Sequence, residues 1–92
     1  MSTRPLGARL SAMPCFLIHH RHEAPECGAV FAAFKGHDSP LRHTQTLASC
    51  VFGGHAIWWG VEAPSEAEAL SLLPSYVADR ATAVRVREVQ IP

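Results

Sequence analysis

Residues 14–22 alternate with period two. Phe16, Ile18, His20 and His22 fall on one face, and Cys15, Leu17, His19 and Arg21 on the other. This predicts a first strand. The period then changes. Cys27, Val30, Phe31 and Phe34 recur at the i, i+3, i+4, i+7 spacing of a helical stripe. Pro25 suits the first helical position, where its missing N–H would be unpaired in any case. Residues 37–44, with Asp38-Ser39-Pro40, read as a loop. A second strand is predicted over residues 45–52 and a third over 55–62, with Gly53-Gly54 as the hairpin turn between them. Ser65 and Glu68 form a capping box for a second helix that buries Ala67, Leu70 and Leu73. Pro74 breaks or kinks that helix. A fourth strand is predicted over residues 82–91. There Val84 and Val86 alternate with Arg85 and Arg87, and the phase changes at Glu88-Val89.

The order β-α-β-β-α-β is the split βαβ arrangement. The expected class is α+β, ferredoxin-like, with a four-stranded antiparallel sheet and two helices on one face. Strands 1 and 3 are its central pair, and both are apolar on both faces. Two helices cover only one face, and a bare apolar face in water calls for a partner. The expectation is a homodimer packed sheet to sheet, as a dimeric α+β barrel. Residues 1–12 carry Pro5 and Gly7 but no hydrophobic period, and are expected to be a flexible N-terminal extension. Residues 13–92 are the domain. Either the extension is a tail or Met13 is the true start.

Composition narrows the function classes. The chain has 92 residues, enough for one domain with a modest core. Lys plus Arg number 8 and Asp plus Glu number 8, which is no electrostatic footprint for nucleic acid or anionic lipid. No apolar run approaches the roughly 18 residues of a membrane span, and the first twelve residues hold no apolar core of a secretory signal. Cys15, Cys27 and Cys50 are odd in number and widely spaced. A disulfide framework is therefore not expected, and the default location is the reducing cytoplasm.

The 6 histidines are a biased fraction of so short a chain, and Cys/His bias signals metal chemistry. Strand 1 ends at His20 and His22. An antiparallel strand 3 starts at that same sheet end with His55. Cys50 arrives there near the end of strand 2, and Cys27 follows strand 1 by a few residues. His20, His22, Cys27, Cys50 and His55 are therefore candidate ligands, with Glu23 as a further donor. A His-x-His pair on a strand places two imidazoles on one face about 6.6 Å apart at the backbone. Imidazole and thiolate together suit Ni, Zn or Cu. The facing of Cys50 relative to His55 is open. His37 and His43 belong to the opposite end of the domain.

Each candidate has a plainer reading. His20 and His22 can be buried histidines satisfied by backbone groups. The three cysteines can be small core residues. Trp58 and Trp59 can be core and interface packing, or one of them can wall a ligand pocket. With that pocket the chain would be a small enzyme, isomerase-like or monooxygenase-like, with His20 or His22 as general acid or base. No nucleophile motif or organic-cofactor motif points to a reaction. A third possibility is a non-catalytic dimerisation module.

The start Met13-Pro14-Cys15-Phe16-Leu17-Ile18 and the segment from Trp58 to Ala67 resemble small ferredoxin-like proteins of the dimeric α+β barrel group. The second segment is similar to the third strand and helix start of a short uncharacterised family with some nickel-binding members. The resemblance implies a dimer and a possible nickel ion. It carries over no ligand residue by residue. The barrel group also includes isomerases, monooxygenases and dehydratases, so fold alone does not choose a function.

Overall fold

A computed structural model describes residues 13–92; the expected N-terminal extension lies outside the described residues. Four strands form one antiparallel sheet. β1 (Cys15–Arg21) is central, with β3 (Ala56–Glu62) on one side and β4 (Ala81–Val86) on the other. The short β2 (Leu47–Ala48) pairs with the far edge of β3, giving the order β2-β3-β1-β4. The helices are α1 (Cys27–Ala32), α2 (Glu66–Leu70) and α3 (Ser75–Ala78).

The alternation in β1 and β3 sets the layers. In register, Ile18 opposes Trp59 and His20 opposes Ile57. These residues, with Phe16 and Val61, form the floor on which Val30 of α1, Ala69 of α2 and Val77 of α3 are buried. Ile18 and Ile57 are wholly buried, each worth about 1.5–3 kcal/mol relative to exposure. On the other face, Leu17 opposes Gly60 and Val84, and His19 opposes Trp58 and Thr82. Leu17 is 38% exposed and Val84 56%. No described helix is long and apolar enough to cross a membrane.

Three sequence expectations are corrected. The second strand is two residues long, not eight, because residues 50–52 turn into a 3-10 helix. Val51 and Phe52, read as strand residues, stand exposed on that turn. The second helix is two short helices. Ser65 caps the first by accepting from the Glu68 N–H, and Pro74 precedes the second. Pro74 has no N–H to continue a helix through it. The fourth strand ends at Val86 rather than Ile91. Within it the alanines face the core, with Ala83 buried, while Val84 faces away. The helices lie over that strand, and small side chains admit their close approach.

Candidate metal centre

Four donors meet at the end of the sheet where β1 finishes and β3 begins. One nitrogen each of His22 and His55 and the sulfurs of Cys27 and Cys50 lie within 4.8 Å of one another. This group can hold a metal ion. Edges of a tetrahedron with bonds of 2.0–2.3 Å are about 3.3–3.8 Å long. The Cys50 Sγ to His22 Nε2 distance is already 3.5 Å. The other donors lie no farther apart than 4.8 Å, within about 1 Å of that spacing.

Each donor has a local reason for its place. His22 is the next residue but one after His20, so it keeps the helix-side face of β1. Its N–H donates to the His55 carbonyl at 3.1 Å, clasping the ends of the two central strands. Cys27 opens α1, and the residue before it is fixed three ways. Glu26 Oε1 accepts from the Glu23 N–H, while Oε2 accepts from Arg80 Nη2 at 2.9 Å and from Tyr76 Oη at 3.2 Å. The Glu23 N–H, then the Arg80 guanidinium, hold the Glu26 carboxyl below its ordinary range.

Cys50 and His55 sit at the two ends of one tight turn. Gly53 there has φ +86°, a left-handed value that glycine adopts without strain. A Cβ at Gly54 would collide with Ser49 Oγ, which accepts from the Ala56 N–H at 3.1 Å. His55 itself has φ +50°, uncommon for a residue with a side chain. Its Nδ1 is buried and has no hydrogen-bond partner among the described residues, so it is available as a ligand. An unpaired buried imidazole nitrogen is costly in a site with no cation.

His20 stands one step behind. It is wholly buried, and its Nδ1 lies 3.0 Å from the Val77 carbonyl. A carbonyl only accepts, so Nδ1 carries the proton. Burial pushes the His20 imidazole down from its ordinary value, favouring the neutral ring. Its Nε2 is then an acceptor, and it lies 3.0 Å from His22 Nδ1. His22 therefore donates from Nδ1 and turns the lone pair of Nε2 toward Cys50. Burial lowers the His22 imidazole as well, with His55 adding to the effect. Burial raises the Cys50 thiol, as does its hydrogen bond with Cys27. An ion entering the site would displace protons from sulfur. All three cysteines are free thiols.

Of the sequence candidates, the fold gathers His22, Cys27, Cys50 and His55. His20 and Glu23 are not in that group. His20 is spaced from it by His22, and Glu23 is exposed at the surface. The two tryptophans part company. Trp59 is buried on the helix side and walls a cavity; Trp58 lies on the open face, stacked on His19 with ring centres 5.4 Å apart, and is not in that wall. Sequence reasoning missed the orienting partners Val77, Tyr76 and Arg80. No family model, no curated protein and no solved structure matches the chain.

Proposed function

We propose that this protein binds a transition-metal ion through His22, Cys27, Cys50 and His55, and that zinc is the preferred ion. The observation that carries the reading is the convergence of four donor atoms within 4.8 Å. Two imidazoles and two thiols are a standard set for zinc, and four protein ligands fill a tetrahedron. A filled shell has no open position for substrate, so the ion's role is structural: it ties β1, α1 and the turn before β3 together. Nickel, which the family resemblance brings to mind, more often takes tetragonal nitrogen and oxygen surroundings. Thiol ligands fit a reducing location such as the cytoplasm. His20 is a positioning residue that fixes the tautomer of His22, as outer partners of metal-bound histidines do.

The reading includes a homodimer of ferredoxin-like subunits. The order β2-β3-β1-β4 with β1 and β3 central supports that topology. Leu17, Trp58 and Val84 on the uncovered sheet face support sheet-to-sheet pairing. Equal masses for the native and denatured species in light scattering would contradict the dimer.

Elemental analysis of untagged protein, purified under reducing conditions without chelator, tests the metal. About one zinc per chain is expected, from one four-donor site per chain. A cobalt-substituted sample should show the intense visible bands of tetrahedral thiolate coordination. Protein that stays metal-free after incubation with zinc, nickel, copper and cobalt salts would overturn the reading.

A further inference from the structure

A second site lies at the other end of α1. A cavity of about 340 Å³ opens there, within the range of small-ligand pockets. Its walls are Phe31 near the end of α1, Phe34 just beyond it, Leu41 from the following loop and Trp59 from β3. Leu41 is buried, and the loop around it is pinned. Ser39 Oγ accepts from the Leu41 N–H at 3.1 Å, and Thr44 Oγ1 donates to the Leu41 carbonyl at 2.7 Å.

The formally charged side chains of this cavity are of one sign. Lys35 and Arg42 line it beside the His43 ring, and no aspartate or glutamate does. The whole chain has as many acidic as basic residues, so this is a local separation of charge. Neither Lys35 nor Arg42 is in an ion pair among the described residues. The two threonine hydroxyls of the lining have committed their protons to carbonyls, Thr44 to Leu41 and Thr46 to Trp58. The charged donors left for a ligand are the Lys35 ammonium and the Arg42 guanidinium. His43 also holds a left-handed backbone, φ +63°, and such conformations gather at ligand sites.

We infer that this cavity binds a small anion with an apolar body, an aromatic or branched aliphatic carboxylate. The ring or chain would lie against Phe34 and Trp59, and the carboxylate would face Arg42 and Lys35. A guanidinium matches a carboxylate with two parallel hydrogen bonds. An apolar body gains from leaving water, while the anionic group needs its charge met. The inference does not depend on the metal centre, which uses none of these residues.

The test is a titration of the full-length, metal-loaded protein with 4-tert-butylbenzoate and, separately, with the neutral 4-tert-butylbenzamide, followed by proton–nitrogen NMR. The carboxylate is expected to bind saturably, with shifts centred on Phe34, Arg42, Thr44 and the Trp59 indole. The amide should bind about tenfold more weakly, the difference that one charge-assisted contact makes. The double substitution Lys35→Gln and Arg42→Gln, at solvent-accessible positions, should erase that difference. Equal affinities for acid and amide would overturn the inference. So would shifts centred on Leu17, Trp58 and Val84, or no saturation at millimolar ligand.

Discussion

At its first residue α1 is held by polar groups; past its last residue it is held by aromatic packing. Glu26, beside Cys27, is tied to Tyr76 and Arg80, fifty or more positions away in sequence. At the other end, Phe34 packs on Trp59 with ring centres 6.1 Å apart, and nearby Lys35 and Arg42 are in no ion pair among the described residues. Hydrogen bonds are directional, so the first end aims side chains at a point. At the second end, large rings wall a cavity instead. One helix thus separates a place suited to an ion from a place suited to a small molecule.

The sharpest way to test that separation is to destroy one end and read the other. Cys27→Ser with Cys50→Ser should lower zinc affinity by more than about a hundredfold, since even outer partners are worth about 10–100-fold. Measured with a competing chelator, that loss should come with a Tm fall matching the fall in metal-stripped wild type. Carboxylate binding at the aromatic end should survive. Zinc affinity within a few fold of wild type would remove the two thiols from the site.

A smaller effect probes direction rather than donor number. His20→Leu keeps an apolar side chain in the core but removes the acceptor for His22 Nδ1–H and the donor for the Val77 carbonyl. Zinc affinity should fall by about 10–100-fold. His20→Gln offers both a donor and an acceptor and should recover most of it. Nitrogen NMR of the His22 ring separates positioning from stability: the Nδ1–H form should dominate in the wild type and the Gln variant, not in the Leu variant. Equal losses in both variants would make His20 a packing residue only.

The smallest effect is a pH dependence of the metal-free protein. His20 and His22 have folded-state values below the ordinary 6.5, chiefly through burial; at His20 the hydrogen bond to the Val77 carbonyl opposes this first, and at both rings Arg80 lowers and Glu26 raises the value. Above about pH 8 the two rings are neutral in the folded and unfolded chains alike, and stability is flat. As pH falls through 6.5, the unfolded chain takes up protons first, and stability is lost until the folded rings also titrate. The Tm of chelated protein should fall by several degrees, roughly, between about pH 7 and 5. In His20→Gln the slope should be shallower. An unchanged slope would place the titration elsewhere.

Much of the frame was legible because it rests on short-range periodicity. The alternation in residues 14–22 located β1 and its faces. Ser65 and Pro74 marked where the second helical segment begins and breaks. The extent of β2 was not legible: Val51 and Phe52 satisfy an alternating pattern, yet the turn that seats Cys50 takes their backbone out of the sheet. Antiparallel pairing of strands 1 and 3 already brought His22 and His55 to one end. It said nothing of which way Cys50 points.

The sequence by itself determined the order of the strands, the pairing of the central two and the pool of donors, because these follow from local spacing and from the two-residue repeat of a strand. The tertiary structure alone decided which donors face one another. His20 and His22 share a strand face and cannot be ranked by spacing. They differ because α3 brings the Val77 carbonyl against one ring and leaves the other facing the thiols. That choice is made by a contact across 57 positions of chain, which no local pattern encodes.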